Sequence, residues 1–261
     1  MRISGHERQR YDCQLVLKEV GERGQDALRA GSALVVGAGG LGAPVLFYLA
    51  AAGVGRVGIV DDDVVELSNL QRQILFTTAD IGRPKAEVAA ERLAALNPEV
   101  VLEPHTARLR AATAPALIDR YDVVVTAVDN FPTRYLLNDA CVLGGKTLVD
   151  GAVLRMTGLA MTIRGGETAC YRCLFPEPPP PAGVISCSEA GVLGPIPGLI
   201  GSIQALEVIK VLTGAGRPLY DRLLQYDGGV MSFNEVEVAR VPSCPVCGEH
   251  PTVTELVDLD A

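Results

Sequence analysis

A glycine-rich loop is the first stretch of this chain whose residue types could do chemistry. Its glycines are Gly37, Gly39, Gly40 and Gly42. They lie between an apolar run that ends at Val36 and a helix-like run. Such a strand, tight turn and helix start present unpaired backbone N–H groups and the positive end of a helix dipole to an anion. The glycines have the dinucleotide-binding spacing, and Asp61 after the next apolar run can accept ribose hydroxyls, so the pattern indicates a nucleotide site.

Two cations and a further carboxylate extend this chemistry. Arg72 and Lys85 follow the second predicted strand, with the amide of Asn69 nearby, and Asp129 follows a later strand. Two cations suit a triphosphate better than the pyrophosphate of NAD, and a carboxylate such as Asp129 suits Mg²⁺. Each residue also has an ordinary structural interpretation. Lys85 alone is typical of an exposed lysine at a helix start, and Asp129 alone is typical of a turn or a helix cap.

Four of the seven cysteines form two CxxC pairs. They are Cys170 with Cys173 and Cys244 with Cys247. Four thiolates match a closed tetrahedral zinc site, whose role is structural because no coordination position is open. The 70 residues between the pairs mean that this zinc would clip distant segments together. One alternative is that the four cysteines are unrelated thiols. Disulfides are a poor alternative, because they are rare in chains without a signal peptide.

The elements that must position these residues alternate between strand and helix. Strands are predicted at 33–36, 56–60, 100–102, within 121–128 and at 147–150, and helices at 43–52, 85–96, 114–120 and 133–143. This alternation predicts an α/β fold with a doubly wound, mainly parallel sheet, covered on both faces. After residue 150 the pattern changes to strands over 152–164, a long buried helix over 197–212 and a hairpin around 227–229, which predicts an antiparallel C-terminal extension.

Composition narrows the function classes. The chain has 261 residues, 48% of them hydrophobic and 21% charged, so it can bury a sizeable core. Its formal net charge of −8 disfavours a nucleic-acid surface. The N-terminus lacks an apolar signal core, and the most apolar long stretch carries Gln204, Glu207 and Lys210, which argues against a membrane span. We therefore expect a cytoplasmic protein with no nucleic-acid or membrane partner.

Several motifs together resemble the MoeB/ThiF family, the bacterial relatives of ubiquitin-activating enzymes. They are the glycine loop, Asp61, Ser68-Asn69-Leu70-Gln71-Arg72-Gln73, Gly82-Arg83-Pro84-Lys85, Thr126-Ala127-Val128-Asp129-Asn130, the paired CxxC motifs and the stretch from Cys187 to Val192. The match runs from about Arg10 to Gly248, in the family's order. The resemblance implies a homodimer that uses MgATP to adenylate the C-terminal glycine of a small ubiquitin-like sulfur carrier protein ending in Gly-Gly. The acyl-adenylate is then open to sulfur transfer, which gives a thiocarboxylate.

The resemblance also implies a role for each matching residue. Arg72 and Lys85 contact the phosphates, Asn69 helps to hold them, Asp61 binds the ribose, and Asp129 handles the metal or the reacting groups. Cys187 captures the carrier covalently, although a lone cysteine is also typical of a small buried side chain. The other nucleotide contacts expected are Asp63, Ser68, Leu70, Gln71, Gln73, Asn130 and the loop glycines. No general base is needed, because a C-terminal carboxylate is already ionised at neutral pH.

One position departs from the family pattern. Where the family has Arg-Tyr-x-Arg-Gln near the N-terminus, this chain has Arg10-Tyr11-Asp12-Cys13-Gln14. The replaced arginine reaches the ATP of the partner subunit in the family, and a thiol cannot supply its charge. On one helix Arg10 would share a face with Cys13, so we predict that Arg10, ahead of Arg8, supplies this charge in trans. The alternative is that Arg10 only pairs with an acidic neighbour.

Two other function classes stay open at this point. One is an NAD-dependent oxidoreductase, which has the same glycine loop, and the other is a non-catalytic, zinc-clipped partner protein. We predict one domain over 1–261, with an arm and helix at 1–30, a nucleotide-binding half at 31–150 and a carrier-binding and zinc half at 151–261. No rhodanese domain follows residue 261, so a separate sulfur donor protein is expected. The sequence does not name the carrier or its pathway.

Overall fold

The sheet is continuous and has eight strands. The computed structural model describes residues 4–180 and 187–259, without the side chains of Cys187 and Ser188. The strands are β1 (Ser32–Val36), β2 (Arg56–Val60), β3 (Val101–His105), β4 (Val123–Thr126), β5 (Thr147–Leu154), β6 (Thr157–Arg164), β7 (Arg222–Asp227) and β8 (Ser232–Glu237). Their order is β3-β2-β1-β4-β5-β6-β7-β8. The first five pair in parallel and the pairs from β5 to β8 are antiparallel, which confirms the predicted mixed sheet.

Helices cover both faces of the parallel part. They are α1 (Gly5–Arg10), α2 (Asp12–Leu15), α3 (Gly21–Ala30), α4 (Gly42–Ala52), α5 (Lys85–Leu96), α6 (Ala114–Ile118), α7 (Phe131–Leu143), α8 (Tyr171–Leu174), α9 (Cys187–Ala190) and α10 (Pro195–Thr213). Successive strand residues point to opposite faces. In β1, Ala33 and Val35 belong to the core shared with α4, α5 and α10, whereas Leu34 and Val36 belong to the core shared with α6 and α7. Every residue of β1 is therefore buried, as a central strand of a doubly wound sheet requires.

The long helix α10 lies against the sheet. Of the helices in the described ranges, it is the one long and apolar enough to cross a membrane by length and composition. Two polar side chains tie it to the strands instead. Gln204 Nε2 donates to the Thr126 carbonyl at 2.8 Å, and Glu207 accepts from the Thr162 hydroxyl at 2.5 Å and from the Leu219 amide at 2.6 Å. Both side chains are buried, so α10 serves here as a core helix of the fold.

The N-terminal arm differs from the single helix that the sequence suggested. The break falls at Tyr11, between α1 and α2. Tyr11 is buried, and its hydroxyl accepts a hydrogen bond from Asn97 Nδ2 at 2.8 Å, immediately after α5. The expectation that Arg10 and Cys13 share one helix face is therefore wrong, because a tertiary contact of Tyr11 interrupts the helix between them.

Candidate functional site

The glycine loop turns back tightly between β1 and α4. Gly37 has a φ of 99°, and a Cβ there would lie 2.4 Å from the Ala127 carbonyl oxygen. A Cβ on Gly42, the first residue of α4, would lie 1.9 Å from the Gly37 carbonyl oxygen. Neither position has room for a side chain, and Gly37 also has a backbone conformation that other residues rarely adopt. This packing leaves the backbone of the loop as the wall of the adjoining cavity.

A pocket of about 660 Å³ lies at the carboxyl ends of the parallel strands. It is within the size range of small-molecule sites, and it lies where open α/β sheets bind ligands. Its wall includes ten of the residues that the sequence predicted for the nucleotide: Gly37, Gly39, Gly40, Asp61, Asp63, Arg72, Gln73, Lys85, Asp129 and Asn130. The fold thus brings three of the four loop glycines, two of the predicted cations and three of the predicted carboxylates to one cavity, whereas Gly42 does not line it.

Lys85 is the first residue of α5 and is not an exposed helix-start lysine. Its side chain is only 6% exposed, since the first turn of α5 also carries the buried residues Ala86 and Val88. The ammonium lies 2.8 Å from Asp63 Oδ2, and the Asp63 side chain is 70% exposed. Water can hydrate Asp63 without Lys85, so this pair holds the cation at the pocket wall while leaving it able to bind a stronger anion.

Asp61 ties the glycine loop to the end of β2. Its Oδ2 accepts from the Ala38 amide at 2.7 Å, and its Oδ1 accepts from the Asp63 amide at 2.9 Å. Burial raises the pKa of the Asp61 carboxyl, while the Ala38 amide and the Lys85 ammonium oppose that rise. Two backbone bonds fix the carboxylate in place, so its orientation at the pocket wall is set before any ligand binds.

Gln73 presents an unsatisfied acceptor beside the loop. Its side chain is buried, and Oε1 has no hydrogen-bond partner among the described residues. The amide lies next to Gly39, where an added Cβ would be 3.5 Å from Gln73 Nε2. A buried acceptor without a partner costs about 1–3 kcal/mol. This orphaned atom at the pocket wall fits a site completed by a polar ligand.

Four neighbouring residues predicted as contacts do not line the pocket. Asn69 Oδ1 accepts from the Glu66 amide at 3.1 Å, and the Ser68 hydroxyl donates to Glu66 at 3.2 Å. The turn that they form, with Leu70 and Gln71, leads directly to Arg72 and Gln73. In this structure the four residues shape the segment that carries Arg72, and their predicted ligand contacts stay predictions.

Arg10 lies away from the pocket of its own chain. Its guanidinium donates from Nη1 to the Leu96 carbonyl at 3.0 Å, at the end of α5. The end of α5 precedes β3, so this contact is at the amino-terminal edge of the parallel strands, opposite the glycine loop. A cation there also suits the negative end of the helix dipole. The role of Arg10 at a partner's ATP stays a prediction.

Arg134 on α7 is a pocket residue that the sequence analysis missed. Its side chain is buried, and Nη1 lies 2.6 and 2.7 Å from the two carboxylate oxygens of Asp150. Nη2 donates to the carbonyls of Val128 and Gly151 at 3.2 and 3.0 Å. Burial raises the pKa of Asp150, and the guanidinium opposes that rise. Arg134 therefore joins the segment after β4 to the middle of β5 and fixes the backbone next to Asp129. An arginine near the start of a helix that directly follows Asp129 and Asn130 was the available signal.

Other missed residues in the pocket wall include Asp62, Arg108, Phe131, Thr133, Thr157 and Pro197. The carboxylates of Asp61, Asp62 and Asp63 lie within 4.8 Å of one another. Consecutive acidic residues at a strand end were visible in the sequence, whereas Arg108 lies in a loop with no pattern that marks it.

The four CxxC cysteines meet in one cluster. The sulfurs of Cys170 and Cys244 are 3.6 Å apart, those of Cys173 and Cys247 are 3.4 Å apart, and those of Cys170 and Cys173 are 4.0 Å apart. A tetrahedral zinc with bonds of about 2.3 Å places its sulfurs about 3.8 Å apart, whereas a disulfide needs about 2.05 Å. The spacing fits the predicted zinc clip, which joins α8 to the segment after β8.

Cys187 begins α9, but its side chain lies outside the described residues. Its predicted role in covalent capture therefore stays a prediction. The other two cysteines differ in exposure: Cys13 is exposed and Cys141 is buried in the core, where burial raises the pKa of its thiol.

Comparisons with known proteins find relatives that match along most of the chain. The chain is 54% identical to the sulfur carrier protein adenylyltransferase of Thermus thermophilus, over 100% of this chain and 98% of that one. It is 49% identical to the SAMP-activating enzyme E1 of Haloferax volcanii, over 96% and 92% of the two chains. It is also 49% identical to the adenylyltransferase and sulfurtransferase MOCS3 of Danio rerio, over 96% of this chain but only 55% of that relative.

Among solved structures, Escherichia coli MccB with ATP superposes with a TM-score of 0.77 over 86% of this chain and 69% of that one. Its sequence is 23% identical, so this likeness shows the fold alone. The ThiF family matches residues 11–246. That match, with relatives about half identical along nearly the whole chain, shows that this chain belongs to the ThiF family.

Proposed function

We propose that this chain is an adenylyltransferase that activates the C-terminal glycine of a small ubiquitin-like sulfur carrier protein with ATP, ready for thiocarboxylate formation. The observation that carries the proposal is the 54% identity to a sulfur carrier protein adenylyltransferase along the full length of both chains. The names of the similar proteins, which are adenylyltransferases, argue against the oxidoreductase and the non-catalytic partner protein as alternatives. The pocket supplies the chemistry that this activity needs.

The charged residues of the pocket wall favour a nucleoside triphosphate as the ligand. Arg72 and Lys85 offer positive charge beside the glycine loop, and Asp61 offers a fixed acceptor for ribose hydroxyls. The acidic residues Asp63 and Asp129 lie on the same wall and would repel a polyanion. A divalent cation between the carboxylates and the phosphates would remove this repulsion. We therefore infer that Mg²⁺ accompanies ATP, with Asp129 as its protein ligand. Bound there, Mg²⁺ would neutralise phosphate charge and orient the phosphate oxygens.

The reaction requires that the carboxylate is positioned at the α-phosphorus and that positive charge offsets the repulsion between the two anions, and it does not require a general base. A carboxylate oxygen of the terminal glycine attacks the α-phosphorus of ATP, the new carboxyl–phosphate bond forms, and the bond to the β-phosphate oxygen breaks to release pyrophosphate. The attacking group is already ionised, so no proton has to be removed. The cations Arg72 and Lys85 reduce repulsion between the two anions and stabilise the charge that develops on the leaving pyrophosphate.

The zinc half serves the site indirectly. Zinc held by Cys170, Cys173, Cys244 and Cys247 would fix the antiparallel extension, with no role in the reaction. The unbroken eight-stranded sheet supports one domain over the chain. We further infer a homodimer and a carrier ending in Gly-Gly, as the sequence resemblance implies.

ATP–pyrophosphate exchange tests the proposal. Exchange should require ATP, Mg²⁺ and a carrier protein ending in Gly-Gly, and a carrier shortened by its last glycine is the matched control. We expect exchange with the intact carrier and none above background with the shortened one. Tight binding of NAD without binding of ATP, or equal exchange with both carriers, would overturn the assignment.

A further inference from the structure

The segment from residue 249 to 259, termed the tail here, runs from the cysteine cluster toward the nucleotide pocket. It lies beyond the residues that match the family, which end at 246. At its start the amides of Thr252 and Val253 both donate to the Pro245 carbonyl, at 2.9 and 2.8 Å. Pro245 stands between Cys244 and Cys247, so the cysteine cluster fixes where the tail begins.

The far end of the tail is attached to a loop that follows β3. Asp258 Oδ1 accepts a hydrogen bond from the Ala111 amide at 2.9 Å. Val253, Leu256 and Leu259 recur at every third position and are partly buried against the core that contains Leu109. The tail is thus held by backbone bonds at one end and by an apolar stripe and a carboxylate at the other.

That loop forms part of the pocket wall. Ala107, Arg108 and Leu109 line the pocket, and they lie in a stretch without helix or strand between β3 and α6. Within the described residues, the Ala107 amide donates to the His105 carbonyl and the Arg110 amide to the Thr113 hydroxyl, both close in sequence, whereas the Ala111 amide donates to Asp258. The tail therefore supplies the long-range hydrogen bond that fixes this part of the wall.

We propose that Asp258 and the tail position the segment 107–109 for nucleotide binding, which makes Asp258 a positioning residue linked through the tail to the cysteine cluster. The inference rests on the proposed ATP site. A segment already held in its bound conformation loses less conformational entropy when the nucleotide binds. Releasing the segment therefore weakens binding. The bond between Ala111 and Asp258 lies outside the pocket wall, so we expect its loss to weaken ATP binding and to leave the rate of the bound complex unchanged.

Three full-length variants test this. Asp258→Ala removes the acceptor, Asp258→Asn keeps an acceptor oxygen, and Glu255→Ala removes a carboxylate of the same tail that has no hydrogen bond among the described residues. A hydrogen bond is worth about 0.5–1.5 kcal/mol, which corresponds to a change in Kd of about two- to thirteenfold. We expect Asp258→Ala to raise the ATP Kd by that factor, and the other two variants to bind as the parent does.

Two further readouts separate positioning from general stability. In Asp258→Ala the KM for ATP should rise with kcat unchanged, and hydrogen exchange should quicken at 107–111 without a matching change in the central strands. Leu256→Ala tests the apolar half of the attachment and should act in the same direction. Parent-like Kd values and exchange rates in both variants, or a drop in melting temperature alone, would overturn the inference. If the parent protein itself fails to bind ATP, the proposed function is wrong.

Discussion

Replacing Lys85 by methionine should separate catalysis from stability. Methionine retains an apolar stem of similar length, so the change removes the charge from a side chain that is 6% exposed without opening a large cavity. Its partner Asp63 is 70% exposed and stays hydrated. A pair with one such exposed member contributes at most about 1 kcal/mol, so we expect the free energy of unfolding to fall by no more than that.

Catalysis should respond much more strongly. Loss of one group that stabilises developing charge costs about 2.7–4 kcal/mol, which corresponds to about 100- to 1,000-fold in kcat. Lys85 also lowers the pKa of the Asp61 carboxyl through its charge, so the variant should need a higher pH to bind ATP fully. Both effects have the same origin, which is the loss of a cation from the wall that holds the triphosphate.

The assay is ATP–pyrophosphate exchange with saturating carrier, with urea unfolding measured on the same preparation. Lys18→Met is the matched control, because Lys18 is exposed and lies outside the pocket wall. The control should keep parental exchange and stability. An exchange rate of Lys85→Met within threefold of the parental rate would refute the role given to Lys85. If the free energy of unfolding fell by as many kcal/mol as the activation free energy rose, the role of Lys85 would be structural.

Four further outcomes are expected. Arg134→Met leaves the buried Asp150 carboxylate without its partner and should lower the free energy of unfolding by about 3–5 kcal/mol in urea titrations. Cys173→Ser should remove the zinc found by elemental analysis, expected at one per chain, and lower the melting temperature. ATP affinity should fall on acidification at a higher pH than an ordinary aspartate would cause, because burial raises the pKa of Asp61 and the ionised form accepts the ribose hydroxyls. Cys187→Ala should retain pyrophosphate exchange, since capture of the carrier follows adenylation.

Three of these outcomes have a comparison variant on the same chain. Arg222→Met removes a pair with the half-exposed Glu235 and should cost less than about 1 kcal/mol. Cys13→Ser changes an exposed thiol and should leave zinc content and melting temperature as they are. Asp61→Asn should weaken ATP binding and abolish its dependence on acid pH. If a variant and its comparison variant changed the measured stability, zinc content or ATP affinity equally, the corresponding prediction would be contradicted. Loss of pyrophosphate exchange in a folded Cys187→Ala protein would contradict the prediction for Cys187.

The sequence predicted what depends on local pattern and on topology. Helix α5 was placed from its apolar periodicity and from Asn97-Pro98 after it, and it runs from Lys85 to Leu96 as expected. Asp61 and Asp129 were placed correctly at one edge, since the carboxyl ends of parallel strands share that edge. The cysteine cluster followed from ligand type and pairing.

What the sequence could not supply depends on partners far along the chain. Arg134 becomes a pocket residue because Asp150 and two carbonyls, one after β4 and one within β5, hold it. The N-terminal helix breaks because Tyr11 bonds to Asn97, 86 positions away. The tail is fixed by Ala111, 147 positions before Asp258. No local propensity or spacing encodes these three contacts.

The cysteine cluster also has a consequence for the order in which the chain can mature during synthesis. Its two halves are 74 positions apart, and the second half follows β8, the last strand of the sheet in chain order. The first five strands and their helices can form while the ribosome is still adding residues, but the cluster cannot close until Cys244 and Cys247 have emerged. Until then Cys170 and Cys173 are an incomplete ligand pair, open to oxidation or to a wrong metal. Metal supply would therefore act after the parallel sheet has formed, and nascent chains starved of zinc would accumulate with that sheet formed and the antiparallel extension unsecured.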